Sequence, residues 1–270
     1  MKAGGMVEEN IRARLNEIEQ DCEVKILYAC ESGSRAWGFA SQDSDWDVRF
    51  VYLHRPEHYL AIDVERRRDV IEHLEGDLDL AGWDLRKALW LLHKSNPPLL
   101  EWLNSPIIYA DRFDLATRLR AMTDIYYSPS ACLHHYRHMA QGNFREYLQG
   151  EIVRTKKYLY VLRPLLAMRW IETRGGPPPM SFPALVESML PDGRLKEAVF
   201  ELLARKTAGM ELAEGPRVPG ISEFIEGEFA RFEAGAGKEG RTPKPSLDVL
   251  NRLFREMLGV VWGGEENEPR

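Results

Sequence analysis

Hydrophobic and polar positions along this chain repeat with two different periods, and the strand-like period disappears after about residue 110. Residues 7–20 carry Ile11, Leu15 and Ile18 at helical spacing with charges elsewhere, which predicts an amphipathic helix. Val24 to Cys30 is mostly apolar and reads as a mostly buried strand. It stops at Glu31-Ser32-Gly33-Ser34, a turn signal, and Arg35 to Ala40 has room for a short helical turn. From Asp45 to Leu53 the period is two. Asp45, Asp47, Arg49 and Val51 share one face; Trp46, Val48, Phe50 and Tyr52 share the other. The first face is polar and the second is core.

A charged segment, Asp63 to Asp69, contains Arg66-Arg67-Arg68. Residues 70–80 supply one or two more strands, with Asp77 and Asp79 alternating with Leu78 and Leu80. Trp83 to Lys94 reads as a helix with Leu85, Leu89 and Leu92 on one side, ended by Asn96-Pro97-Pro98. A short helix, Leu99 to Leu103, and an edge strand at Ile107-Ile108-Tyr109 follow. Beyond residue 111 the pattern is helical: 111–123, 129–149, 151–173, 183–190, 193–210, 219–233 and 246–259, with a break at Gly175-Gly176-Pro177-Pro178-Pro179. Residues 234–245 read as a mobile loop and Glu265 to Arg270 as a frayed tail. The elements predict an α+β chain, mixed α/β over residues 1–110 and all-helical over 111–270, with no internal repeat.

Composition narrows the class. The chain has 270 residues, of which 44% are apolar, so a real core is within reach. No apolar run approaches the length that crosses a bilayer, and the first ten residues do not read as a signal peptide. Three cysteines, Cys22, Cys30 and Cys132, lack CxxC spacing; they argue against a disulfide framework or a zinc site and for a reducing cytoplasm. The net charge of −6 offers no global attraction for nucleic acid, so a polyanion would have to meet a local basic patch.

The candidate chemistry lies in Gly33-Ser34-Arg35 and Ser44-Asp45-Trp46-Asp47. Aspartate is poor in strands, so two on one face of an otherwise apolar strand call for a reason. Adjacent carboxylates repel unless a positive object sits between them, and Mg²⁺, or Mn²⁺, takes oxygen ligands of this kind. The glycine-serine turn offers N–H groups and a hydroxyl to a phosphate. Phosphoryl-transfer sites with two ions roughly 4 Å apart generally need a third carboxylate. Asp79, on the neighbouring strand, is the first candidate and Asp77 the next; Asp84 opens a helix and is also a good cap. Arg35 either reaches a triphosphate or pairs with a carboxylate, and Arg49 either touches phosphate or balances Asp45 and Asp47.

Farther along, Lys156, Tyr160, Arg163 and Trp170 fall close to one helical stripe, with Arg154, Lys157, Arg169 and Arg174 around it. Such a stripe suits phosphates and stacked bases; the alternative is a face whose charged tips snorkel while its aromatics join the core. His134, His135 and His138 lack a matching carboxylate motif and read as an exposed helix face or an RNA contact rather than a metal site. Lys87 and Lys94 read as solvated helix charges, and Asn96 as a helix-terminating residue.

Gly33-Ser34, a ten-residue gap and Asp45-x-Asp47 resemble the signature of the DNA polymerase β-type nucleotidyltransferase superfamily. The run GSRAWGFASQDSDWDVRFVYLH resembles, more closely, the RlaP-like (YcgL-type) nucleotidyltransferases. So do GWDLRKALWLLHKSNPPLLEWLNSPIIY and KKYLYVLRPLLAMRWIE, and the likeness runs from about residue 26 to 175. The resemblance implies a small palm-like mixed sheet carrying the metal carboxylates on adjacent strands, and a helical domain forming one wall of a cleft. It implies Asp45, Asp47 and Asp79 as metal ligands, and Gly33 and Ser34 against the β- and γ-phosphates of an NTP such as ATP. Arg35, Lys156, Tyr160 and Arg163 are the further nucleotide contacts expected. Association of family members with RNA repair implies an RNA end as acceptor. Two other expectations stand beside this one: a small-molecule or protein acceptor, and a nucleotide-binding, antitoxin-like regulator without turnover.

Overall fold

The computed structural model describes residues 2–209, 214–235 and 245–263. Helix α1 (Lys2–Asp21) leads into strand β1 (Val24–Glu31), the one-turn helix α2 (Gly33–Ala36) and strand β2 (Trp46–His54). A short α3 (Pro56–Tyr59) precedes the hairpin of β3 (Val70–Glu75) and β4 (Leu78–Asp84), which turns through Gly76 at φ 56°. Helices α4 (Leu85–His93) and α5 (Pro97–Leu103) and strand β5 (Ile108–Asp111) complete a five-stranded sheet in the order β3-β4-β2-β1-β5. The sheet is mixed: β2 runs parallel to β4, and the other pairs are antiparallel.

Then come α6 (Leu115–Tyr126), α7 (Pro129–Tyr147), β6 (Ile152–Arg154), α8 (Lys157–Arg174), α9 (Phe182–Met189), α10 (Arg194–Thr207), β7 (Glu214–Pro216), α11 (Pro219–Glu233) and α12 (Asp248–Trp262). The α+β class is as expected. One helix was expected over 151–173, but residues 152–154 are extended and pair with β7 in a two-stranded ribbon, so α8 starts at Lys157. The loop expected over 234–245 and the tail at 265–270 lie largely or wholly outside the described residues.

Both faces of the sheet are covered, which changes the one-sided reading of β2. Val48, Phe50 and Tyr52 join Ile11, Leu15 and Ile18 of α1 in one apolar cluster. Val51 and Leu53, on the opposite face, join a larger cluster with Leu85, Leu89 and Leu92 of α4. That cluster runs on through α8 to α12, so residues from both sides of position 110 share it. The polar stretch of β2 is confined to its start, at Asp47 and Arg49. Phe50 lies against Gly82 of β4, where a Cβ would come within 2.1 Å of its ring, so the close β2–β4 pairing has a steric requirement for glycine there.

Local caps set the junctions. Asp84 caps α4, its Oδ1 accepting from the Arg86 N–H at 2.7 Å, and Asn96 caps α5 through Leu99 N–H at 3.3 Å. Asp84 is also buried and its Oδ2 accepts from Tyr59 Oη at 2.7 Å. Burial raises its pKa to about 6, above the unfolded value near 3.8. The folded protein thus keeps a proton that the unfolded chain has already released. This favourable contribution is complete below about pH 4 and is lost as the pH rises through about 6. Asp84→Asn, which still offers an acceptor to the cap, is expected to flatten the stability profile between those pH values. Denaturant titrations of both proteins across that window check it, and parallel profiles would refute it.

Candidate active site

The parallel register of β2 and β4 places Asp47 opposite Asp79 and Arg49 opposite Ala81. In a parallel pair, aligned residues point to the same face, so the two carboxylates stand side by side. Arg49 folds back between them. Its Nη2 donates to Asp47 Oδ1 at 3.1 Å and to Asp79 Oδ2 at 2.8 Å. Its Nη1 donates to the carbonyls of Val48 at 3.1 Å and Asp79 at 2.9 Å. Of the two roles expected for Arg49, this arrangement is the counter-charge. Small Ala81 leaves room beside it.

Asp47 is fixed from two further sides. Gly33 has φ 59°, and a Cβ there would lie 2.0 Å from Asp47 Oδ2, so both the backbone and the close carboxylate demand glycine. On β1, Glu31 is fully buried, its Oε1 accepting from the Asp47 N–H at 2.9 Å and its Oε2 from Tyr109 Oη at 2.5 Å. Burial raises the Glu31 pKa, and these two donors oppose the rise. Burial likewise raises the Asp47 pKa; Arg49 lowers it, while Asp79 and Asp45 add to it. Sequence reasoning missed Glu31. Its signal was a charged residue ending an otherwise apolar strand, next to the phosphate-type turn.

The other expected acids separate. Asp45 is exposed and sits just before β2 begins, within electrostatic reach of Asp47. Asp77 lies in the β3–β4 turn, where its carbonyl accepts from Trp46 N–H at 2.7 Å. Asp84 is the α4 cap described above. Asp79 alone of the three stands beside Asp47.

Among the described residues Arg35 does not pair with a carboxylate. Its guanidinium stacks 3.7 Å over the Trp46 ring and donates to the carbonyls of Ser44 at 2.5 Å and Asp45 at 3.1 Å, pinning the approach to β2. Ser34 is buried in α2, with its carbonyl accepting from Phe39 N–H at 3.0 Å. Tyr160 packs edge-on against Trp37 and Phe39, and its phenol pKa is raised by burial and then by the charges of Asp47 and Asp45. Lys156 is exposed at the N-cap of α8.

The stripe expected along α8 is divided: Lys156 and Arg174 are exposed at its ends, while Arg163 is buried and Arg169 is paired. Arg163 is buried at 2% exposure, lies 4.4 Å over the Trp37 ring and donates to Glu101 Oε1 at 2.8 Å. Arg163, expected as a nucleotide contact, is held inside by Glu101 rather than presented with Lys156 at the surface. Arg169 makes a two-pronged pair with Glu228 at 2.9 and 2.7 Å. Glu101 gathers more than one element, accepting also from Tyr136 Oη at 2.8 Å and Trp37 Nε1 at 3.3 Å. Arg154 pairs with Glu214, and Lys87 with Asp69. His134 and His138 contact each other, Nε2 to Nε2, at 3.1 Å.

The helical region brings another cation, Lys206 in the last turn of α10. Its Nζ donates to Ser41 Oγ at 2.8 Å and Ser44 Oγ at 3.3 Å, on the loop that feeds β2. Its pKa is lowered first by burial and then by Lys156 and Arg35, against the pull of Asp43 and Asp45. Lys206, Lys156 and Arg35 therefore share one field beside the acids. The residue is 162 positions from Ser44, so no local sequence pattern reveals it.

Among the described residues no group of three or more His, Cys, Asp or Glu side chains stands close enough to hold a metal ion. The donor chemistry nonetheless fits a hard divalent cation: Asp47 and Asp79 present carboxylate oxygens side by side, and Asp45 adds negative charge nearby. Cavities of about 470 and 650 Å³ lie elsewhere, the first along α1 and β5 and the second between α4 and α12. Neither is lined by these acids. No helix among the described residues is long and apolar enough to cross a membrane.

The profile of the RNA repair pathway DNA polymerase beta family matches residues 7–256. The chain belongs to this family, RlaP. A relative from Bacillus subtilis (strain 168), named uncharacterized protein YcgL, is 47% identical over 257 residues, covering 95% of this chain and 98% of the relative. A solved nucleotidyltransferase-like protein from Exiguobacterium sibiricum 255-15 matches at 14% identity and a TM-score of 0.29, over 96% of this chain and 92% of that one. RlaP membership makes the chain one of the polymerase β-type nucleotidyltransferases.

Gly33→Ala is expected to destabilise the protein by about 1–2 kcal/mol, from a left-handed residue that now carries a Cβ and from the displaced Asp47 carboxylate. Denaturant unfolding checks it, and a change near zero would overturn this reading of the turn.

Proposed function

We propose that the chain transfers a nucleoside monophosphate from an NTP to a hydroxyl acceptor, with Mg²⁺ or Mn²⁺ as cofactor and an RNA end as the acceptor. The observation that carries this reading is the Asp47–Asp79 pair, cradled by Gly33 and flanked by the Lys206, Lys156 and Arg35 field. Asp45, Asp47 and Asp79 would hold the ion or ions, which would supply charge neutralisation at the reacting phosphate. The acceptor oxygen attacks the α-phosphorus, its proton passes to Asp79, and the bond to the β-phosphate oxygen breaks, releasing pyrophosphate. Gly33 and Ser34 hold the triphosphate from the α2 turn. Lys206 and Lys156 offset the charge that grows on the leaving pyrophosphate. Arg35 acts through the chain: its grip on the Ser44 and Asp45 carbonyls keeps Asp45 at the mouth of β2. Tyr160 forms the wall between the acids and the aromatic cluster.

The RNA acceptor is supported by the family description, not by α8, where Arg163 is buried against Glu101 and Arg169 is paired with Glu228. Three free cysteines, Cys30 and Cys132 among them buried, support a reducing, cytoplasmic setting.

Incubation with α-labelled NTPs and Mg²⁺, in parallel with tRNA, cell protein and metabolite fractions, tests the acceptor. Label is expected in RNA; label in another fraction would replace the RNA acceptor. No pyrophosphate release, with nucleotide binding indifferent to Mg²⁺, would favour the non-catalytic regulator. Asp47→Asn and Asp79→Asn are each expected to lower the transfer rate about 10³-fold or more; full activity in either would refute the mechanism. Lys206→Ala is expected to raise KM for NTP about tenfold, the loss of a charge-assisted contact, and to lower kcat through the leaving group. Unchanged kinetic constants would remove Lys206 from the site.

A further inference from the structure

We propose that Arg49 is a built-in occupant of the cation site, which a divalent ion must displace before Asp47 and Asp79 can bind it. This rests on the metal reading above and adds a competition that reading does not require. One guanidinium nitrogen already donates to an oxygen of each carboxylate, at 3.1 and 2.8 Å. A divalent ion on those oxygens would face the guanidinium at contact distance, and like charges so close repel strongly in a half-buried setting. The two cations therefore exclude each other.

The exchange is built for easy reversal. Arg49 keeps two anchors that do not involve the carboxylates, its Nη1 bonds to the Val48 and Asp79 carbonyls. Along this face, Val51 is fully buried whereas Asp45 is exposed, so the open end of the face is the start of β2. There the guanidinium would meet what the Lys206 and Lys156 field also meets, a polyanion. A bare ion gains the carboxylates only by breaking both Nη2 bonds and leaves the guanidinium without an anionic partner. An ion arriving with a triphosphate gives the expelled guanidinium a new anionic partner. The site thereby favours the ion–nucleotide complex over the ion alone, and the ion-free protein carries no unbalanced pair of buried-edge carboxylates.

Mn²⁺ alone, titrated into the nucleotide-free full chain and read by electron paramagnetic resonance, tests this. Arg49→Met is expected to bind Mn²⁺ about tenfold more tightly than the wild type, since one charge-assisted competitor is gone. Asp47→Asn is expected to abolish binding in both backgrounds. Equal, Asp47-dependent affinity in wild type and Arg49→Met would overturn the competition and leave the metal reading standing. Absence of Asp47-dependent binding in both would overturn the two together. A wild-type measurement guards against a variant that fails to fold: Mg²⁺ added to ¹⁵N-arginine-labelled protein is expected to shift the Arg49 guanidinium signal, assigned by its loss in Arg49→Lys. A signal unmoved at saturating Mg²⁺ would overturn the proposal.

Discussion

Two carboxylates held side by side in a parallel ladder form the constraint on which this site depends. The β2–β4 register admits no relaxation, because a slip of one residue would turn Asp47 toward α1 and Phe50 away from Gly82. Their repulsion is a fixed cost of the fold. Arg49 offsets it from the same strand, Gly33 yields space to Asp47 Oδ2, and Glu31 satisfies the Asp47 N–H from the strand behind. Each of these residues makes sense only in relation to Asp47. The reaction proposed uses the electrostatic stress that the sheet builds in.

The helices answer that stress from the other side. Glu101 ties α5, α7 and α8 to the Trp37 indole through Tyr136 and Arg163. Breaking such a buried pair from one side costs about 3–5 kcal/mol, because the remaining charge is stranded. Trp37 in turn packs on Phe39 and Tyr160, and Tyr160 lies within the field of Asp45 and Asp47. The helical region therefore sets the position of the α2 turn as well as the wall opposite it. The apolar cluster that continues from the sheet to α12 makes this coupling rigid.

The sheet half was legible because its signals are local. The apolar run of β1 and the period-two alternation of β2 gave both strands to within a residue, while the helical turn expected over Arg35 to Ala40 falls two residues earlier and ends sooner, as α2. Asp79 was legible as the acid on the next strand, although Asp77 and Asp84 fitted the pattern nearly as well. Only the hairpin's two-residue turn and the α4 cap separate the three. Glu31 and Lys206 were not legible, since each depends on pairings between distant segments. The pairing of the α8 arginines was hidden for a related reason. A stripe of arginines on a helical wheel carries no information about the acids that other helices bring to it, and Glu101 and Glu228 claim Arg163 and Arg169.

That pairing reorganises the charge logic of the molecule. A net charge of −6 had implied that a polyanion needs a local basic patch, and α8 was the obvious source. Beside the acids, the described cations come from separate places: Lys206 at the end of α10, Lys156 at the start of α8, and Arg49 of β2 itself. A patch assembled from helix ends around a sheet edge is small and directional. It suits a triphosphate held at one point better than a long nucleic-acid track.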